Sequence, residues 1–216
     1  MAGGWWRECG VLLLADGMRK VVFMSVAVIL AGGKSRRMGR DKLALYLDGR
    51  TLLESAVGRF AEVFDRVFLS VADAGKYPDI AVERIVDILP GAGPMSGLHA
   101  ALTALPDDGV FLVAADLPFA CPHAAMKVIG LCGDNNACVI RLPGGRLEPL
   151  FGFYRRALLP MCEVALRAGD FKMTALLPDI GTRFVSPGEL GASWDERLIM
   201  NINFPEDYEG LLGSHG

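Results

Sequence analysis

Short apolar runs of strand length alternate along this chain with segments whose apolar residues recur at helical spacing. Four such runs stand at 27–30, 67–71, 81–86 and 110–114. Between the first two, the apolar residues of 52–61 fall on one face of a helix, and Thr51 is suited to cap it. This strand–helix–strand order predicts βαβ units, in which helices cover both faces of a parallel sheet.

The second half of the chain repeats both patterns and shows no linker or internal repeat. Helices are predicted at 94–105, 123–131, 158–166, 171–177 and 206–212. Strands are predicted at 137–141, 147–154, 183–185 and 198–202. We therefore expect a single α/β domain, with a three-layer α/β/α fold and a mostly parallel, Rossmann-like sheet.

The domain is predicted to span residues 24–216, because Met24 lies just before the first apolar run. Two interpretations of residues 1–23 are open. They form either a disordered N-terminal extension or an added segment packed through Trp5 and Trp6. We expect no signal peptide, because the apolar stretch 11–14 is too short to form its core.

Composition narrows the class of protein. With 216 residues, 52% of them hydrophobic and 22% charged, the chain is typical of a globular domain. A formal net charge of −3 argues against a nucleic-acid-binding protein, because contact with phosphate backbones needs a broad basic face. The five cysteines include no C-x-x-C pair, which indicates reduced thiols, a cytoplasmic location and no zinc site. No apolar run approaches the length of about 18 residues that a membrane span requires.

The segment Val26–Lys42, which reads VAVILAGGKSRRMGRDK, is the first candidate binding site. Gly32 and Gly33 end the first predicted strand, and adjacent glycines allow backbone N–H groups to close on a ligand. The basic residues that follow are Arg36, Arg37, Arg40 and Lys42. The string matches neither the dinucleotide-binding nor the P-loop pattern. It indicates a polyphosphate site, and the alternative is an ordinary surface turn.

Two aspartates are expected at the same edge of the sheet as this glycine loop. Asp87 follows the third predicted strand and Asp116 follows the fourth. Because ligands gather beyond the carboxyl ends of parallel strands, these residues should converge there. A second glycine-rich loop, 87–97, leads into a helix near Pro94, whose unpaired N–H groups could meet an anion or a base edge.

The string L-A-G-G-x-x-x-R-M-G-x-D-K at 30–42 resembles the signature loop of nucleotidyltransferases, most closely that of the molybdenum cofactor guanylyltransferases. The resemblance recurs at GPMSG (93–97), ADLP (115–118), EPLFGFY (148–154) and NINFPEDY (201–208). It covers roughly residues 25–210, nearly the whole chain.

The resemblance assigns roles to the residues of the first loop. Leu30, Ala31, Gly32 and Gly33 match the backbone contacts to the base and phosphates of GTP. Lys42 matches the lysine that neutralises phosphate charge. The alternative for Lys42 is a solvated surface lysine.

Further positions match the family's remaining roles. Asp116 corresponds to the Mg²⁺ ligand, and Asp87 to an acid at the nucleoside end that accepts from a guanine edge or a ribose hydroxyl. Arg37 is expected to clamp phosphate, while Asn201 and Asn203 match asparagines on the acceptor side. As alternatives, Asp116 is a turn residue and the asparagines cap a loop.

The resemblance implies a magnesium-dependent enzyme that transfers GMP from GTP to molybdopterin and releases pyrophosphate. Proteins that supply molybdopterin or mature molybdoenzymes are its implied partners, with no nucleic acid and no membrane. One alternative is another nucleotidyltransferase of this fold, for a cytidylyl group or a sugar phosphate. Another is a non-catalytic nucleotide- or cofactor-binding module.

Three details of the sequence bear on these alternatives. LAGG at 30–33 favours guanine, because cytidylyl relatives more often carry LAAG. Ala115 stands where the family commonly has cysteine. The family often has asparagine near the base after the second strand, whereas this chain reads Ser70-Val71-Ala72-Asp73. The last departure puts base contacts from that segment in doubt.

Overall fold

A seven-stranded sheet forms the centre of this protein. The structure is a computed structural model that describes residues 24–32, 41–89, 91–202 and 207–210. The strands are β1 (Val26–Leu30), β2 (Tyr46–Leu47), β3 (Arg50–Thr51), β4 (Arg66–Val71), β5 (Glu83–Val86), β6 (Gly109–Ala114), β7 (Ala137–Arg141), β8 (Leu147–Arg155) and β9 (Thr182–Val185). In the main sheet the order is β5-β4-β1-β6-β8-β7-β9, and β8 runs antiparallel to both of its neighbours. The predicted mostly parallel sheet is confirmed.

Helices lie on both faces of this sheet. They are α1 (Leu52–Ala61), α2 (Pro94–Ala104), α3 (Pro122–Leu131), α4 (Leu159–Ala168), α5 (Met173–Leu176) and α6 (Pro187–Leu190). Alternate residues of β1 enter two separate cores: Ile29 packs in the cluster that includes α1 and α3, and Val28 in the cluster that includes α2 and α4. A strand buried on both faces must be apolar throughout, which explains the continuous run in the sequence. The three-layer α/β/α expectation is therefore confirmed.

The predicted start of α1 is confirmed in detail. Thr51 accepts a hydrogen bond from the N–H of Glu54 at 3.1 Å, and the Glu54 carboxylate accepts from the N–H of Thr51 at 2.7 Å. The two-residue turn Asp48-Gly49 between β2 and β3 has positive φ angles of 53° and 80°, as a tight hairpin turn requires. The signals for both features lie within a few residues of each other, which makes them visible in the sequence.

Three predicted elements differ from the structure. The strand expected at 198–202 is wrong, because a 3-10 helix spans Glu196–Ile199 and starts where the Asp195 carboxylate accepts from the N–H of Arg197. The third strand begins at Glu83 rather than Ala81, and the helix expected at 171–177 is confined to Met173–Leu176.

Residues 1–23 and the end of the last predicted helix lie outside the described residues, so the two interpretations of 1–23 remain predictions. Within the described part of the chain, no helix has both the length and the apolar character to cross a membrane.

Candidate active site

The loops that follow the parallel strands lie side by side at one edge of the sheet. The N–H of Ala31 donates to the carbonyl of Ser70 at 2.9 Å, and the N–H of Ala115 donates to the carbonyl of Leu30 at 3.1 Å. On the far side of β4, the N–H of Asp87 donates to the carbonyl of Val71 at 2.9 Å. Hydrogen bonds between strands thus continue past the strand ends and hold the three predicted loops together.

Lys42 and Asp116 are in direct contact at this edge. The Lys42 ammonium donates to Oδ2 of Asp116 and, at 3.1 Å, to the carbonyl of Ile202. The N–H of Ile202 in turn donates to the carbonyl of Asp116 at 3.1 Å. Both side chains are about one-fifth exposed, so this ion pair is only partly desolvated. The sequence placed both residues at this edge, but it gave no sign that they touch each other or the buried residue Ile202.

The second carboxylate oxygen of Asp116 has a different environment. Oδ1 is buried and accepts no hydrogen bond within the described part of the protein. A buried carboxylate oxygen without a partner carries a desolvation cost that a bound cation removes. The described residues contain no cluster of three or more His, Cys, Asp or Glu side chains suited to a metal. This arrangement fits Mg²⁺, which usually takes one or two carboxylates and completes its shell with water and substrate phosphates.

Asp87 lines a narrow gap next to Gly32. A Cβ atom placed on Gly32 would lie 3.7 Å from Oδ2 of Asp87 and 3.8 Å from the N–H nitrogen of Ala72. Asp87 is half-buried, and burial raises the pKa of its carboxyl, while a hydrogen bond from Ser70 acts in the opposite direction. Glycine therefore leaves open a space, about the size of one methyl group, that is lined by the Asp87 carboxylate and the backbone nitrogen of Ala72.

Helix α2 approaches this gap very closely. Gly93, at the N-cap, has φ 61° and ψ −143°, a conformation that favours glycine, and Pro94 then starts the helix. A Cβ atom placed on Gly97 would lie 2.5 Å from Cδ2 of Leu30 and 2.7 Å from Oγ of Ser70. The glycines of the GPMSG motif thus allow the first turn of α2 to lie against the ends of β1 and β4.

Replacing Gly97 with alanine is expected to lower the free energy of unfolding by about 1–3 kcal/mol, the usual cost of adding a methylene group to a tightly packed site. Gly130→Ala in α3 is the matched control, because a Cβ atom there meets no heavy atom within 4 Å. In the control, the better helix propensity of alanine should raise stability by up to about 1 kcal/mol. Urea unfolding of both variants measures the difference, and equal gains would contradict the close approach.

The structure brings many, but not all, of the predicted site residues together. Hydrogen bonds and close contacts link the segment Leu30–Gly32, Asp87, Lys42 and Asp116 at one edge. Asn201 is exposed and directly precedes Ile202, which lies against Asp116. Gly33, Arg37 and Asn203 lie outside the described residues, so their roles remain predictions.

Sequence reasoning missed two residues of this site. The sequence places Ser70 in the second predicted strand and in a departure from the family pattern, and it places Ile202 at the end of a predicted strand and in the NINFPEDY motif, but it predicts no role for either residue. Ser70 is 1% exposed and Ile202 is fully buried. A buried serine at the carboxyl end of a central strand is the signal that could have identified the first. The carbonyl group of Ile202 leaves no signal in the sequence.

Comparison with known proteins identifies the family of this chain. A family model described as a MobA-like NTP transferase domain matches residues 27–181. A protein of Pelotomaculum thermopropionicum named "Probable molybdenum cofactor guanylyltransferase" is 33% identical over 187 residues, which is 86% of this chain and 91% of that protein. The family match covers the glycine loop, Lys42, Asp87 and Asp116.

Two solved structures share the fold. One is molybdopterin-guanine dinucleotide biosynthesis protein A of Archaeoglobus fulgidus, with TM-score 0.73, 24% identity, and coverage of 88% of this chain and 100% of that one. The other is 2-C-methyl-D-erythritol 4-phosphate cytidylyltransferase of Thermus thermophilus, with TM-score 0.64, 18% identity, and coverage of 89% and 99%. A guanine-related and a cytidylyl-transferring protein therefore share this architecture, so the fold alone does not select the base.

Proposed function

We propose that this chain, which belongs to the MobA-like NTP transferase family, transfers GMP from GTP to molybdopterin and releases pyrophosphate. The observation that carries the proposal is the contact between Lys42 and Asp116 at the carboxyl edge of the sheet, beside a glycine loop. The name of the relative that is 33% identical over most of both chains supports the choice of substrates.

The reaction requires positioning and control of charge more than covalent help. An oxygen of the acceptor phosphate forms a bond to the α-phosphorus of GTP, and the bond from that phosphorus to the pyrophosphate oxygen breaks. Lys42 is proposed to neutralise the growing negative charge on the phosphates, since its ammonium group already lies at the site. Asp116 is proposed to hold Mg²⁺ through Oδ1, which accepts no hydrogen bond from the described residues. When bound, Mg²⁺ supplies positive charge that polarises the phosphoryl oxygens.

The other predicted residues complete the proposed site. The backbone of Leu30, Ala31 and Gly32 would face the base and phosphates, and Asp87 the nucleoside end, because they line the same gap. Asn201, next to the Lys42–Asp116 pair in the chain segment of Ile202, is proposed to contact the acceptor. Gly33 and Arg37, on the phosphate side, and Asn203, on the acceptor side, keep their proposed roles.

GTP is expected to bind best among the four nucleoside triphosphates. The 2-amino group of guanine can donate to the half-buried Asp87 carboxylate, and a base without that donor leaves a buried acceptor unpaired. Such a mismatch typically costs a few kcal/mol, so discrimination should reach about 10²-fold or more. Calorimetric titration of each triphosphate with Mg²⁺ measures this preference. Equal or tighter binding of CTP would show that the transferred group is not guanylyl.

A further inference from the structure

We propose that Ser70 is a positioning residue for nucleoside recognition, which holds the Asp87 carboxylate so that its second oxygen, Oδ2, faces the gap at Gly32. This inference rests on the proposed use of GTP. The hydroxyl of Ser70 donates to Oδ1 of Asp87 at 3.4 Å, and Oδ2 is the oxygen that lies towards Gly32. The distance is at the long end for a hydrogen bond, and bonds of this kind often tighten when a substrate binds.

Ser70 is placed to fix both sides of the gap at once. Its carbonyl accepts from the N–H of Ala31 at 2.9 Å and so secures the first glycine loop, while its hydroxyl reaches Asp87. The strand that carries it, β4, lies between β1 and β5, the strands that end at these two loops. Ser70 therefore contacts both the backbone and the carboxylate that line the gap.

Water has little access to replace this hydroxyl. Ser70 is only 1% exposed, because α2 passes directly over it at Gly97. If the hydroxyl is removed, Oδ1 of Asp87 loses its donor in a place that α2 covers. The carboxylate can then rotate or bind a proton. Either change makes Oδ2 of Asp87 a poorer acceptor for a ligand in the gap.

The electrostatics of Asp87 agree with this role. Burial raises the pKa of the Asp87 carboxyl, and the hydrogen bond from Ser70 lowers it. When the carboxyl group is ionised, both of its oxygens act only as acceptors, so one can accept from the protein and the other from a nucleoside. The hydroxyl of Ser70 therefore favours the form of Asp87 that can accept from a ligand.

The test is Ser70→Ala, with affinities for three Mg²⁺-bound triphosphates measured by calorimetry. ITP lacks the 2-amino group of guanine, and 2′-deoxy-GTP lacks a ribose hydroxyl, so each probe removes one donor that Asp87 can accept from. We expect Ser70→Ala to weaken GTP binding by roughly 10-fold, the value of a hydrogen bond to a charged group. One of the two probes lacks the group that donates to Asp87. For that probe, the affinity of Ser70→Ala should stay within about twofold of the affinity of the wild-type protein, because the probe has no contact with Asp87 to lose.

Ser25→Ala is the matched control. Ser25 is also buried next to an aspartate, and its hydroxyl donates to Asp65 Oδ2 at 2.8 Å beside the opposite end of β1. This variant should lose stability without any change in the relative affinities of the three triphosphates. The positioning role of Ser70 is contradicted if Ser70→Ala weakens the binding of GTP and both probes by the same factor, or weakens the binding of none of them. A wild-type protein that binds CTP best contradicts the proposed function instead, so the two failures are distinguishable.

Discussion

Asp116→Ala should lower the rate of nucleotidyl transfer by at least ~10²-fold while the protein stays folded, by analogy with the removal of one preorganised electrostatic contact at a transition state. Its neighbours Ala115 and Leu117 are buried and anchor the backbone, whereas the Asp116 side chain is 20% exposed. The carbonyl that accepts from Ile202 also remains in the variant. Pyrophosphate release over a range of Mg²⁺ concentrations measures the effect, and excess Mg²⁺ should restore only part of the rate.

Asp107→Ala provides the control for this experiment. Asp107 precedes β6, as Asp116 follows it, and its carboxylate also pairs with a cation, Arg66, at 3.1 Å. Losing that pair affects stability at the amino edge of the sheet and should leave turnover and Mg²⁺ dependence unchanged. If Asp116→Ala behaves like Asp107→Ala, then Asp116 is a turn residue and the proposed catalytic site is wrong.

Lys42→Ala should raise the KM for GTP roughly 10- to 100-fold, because a charge-assisted hydrogen bond contributes about 1.5–3 kcal/mol. The ammonium is held between Asp116 and the carbonyl of Ile202, so it is pre-positioned at the edge where the triphosphate is proposed to bind. The Mg²⁺ dependence should change less than in Asp116→Ala, since Lys42 acts on phosphate directly. Initial rates at varied GTP and fixed Mg²⁺ measure the shift in KM.

The double variant of Lys42 and Asp116 separates direct from indirect effects. Because the two side chains are in contact, their effects on GTP binding should not add, and the difference reports their coupling. Arg66→Ala, which removes a cation at the opposite edge, is the control for loss of charge alone. An unchanged KM for GTP in Lys42→Ala would contradict the assignment of Lys42 to phosphate.

The sequence predicted features whose signals are local. The apolar run of β1 and the Thr51–Glu54 capping box involve neighbouring residues, and a pattern within one segment is enough to identify them. The shared edge of the sheet followed from a general rule about parallel strands, which placed Gly32, Asp87 and Asp116 together. The structure confirms that placement, while the chemical roles of these residues remain proposals.

Features that depend on long-range contact were not visible in the sequence. Lys42 and Asp116 are separated by 74 positions, and no residue pattern shows that their side chains meet. The error at 198–202 has a similar origin. An apolar stretch of that length suits a strand or a short helix equally well. The Asp195 cap, together with the hydrogen bond from the N–H of Ile202 to the carbonyl of Asp116, selects the 3-10 helix. The contacts of Ser70 likewise depend on where α2 crosses β4.

The link from Lys42 to Ile202 joins residues 160 positions apart, and it has a consequence for how the enzyme is made. A domain generally folds as a unit, and the ribosome synthesises the chain from its amino terminus at about 5–20 residues per second. The glycine loop and both aspartates are therefore synthesised well before the carbonyl group that fixes the lysine. Reaching Ile202 takes roughly 10–40 s at that rate, and until then a nascent chain lacks the carbonyl group that holds the Lys42 ammonium.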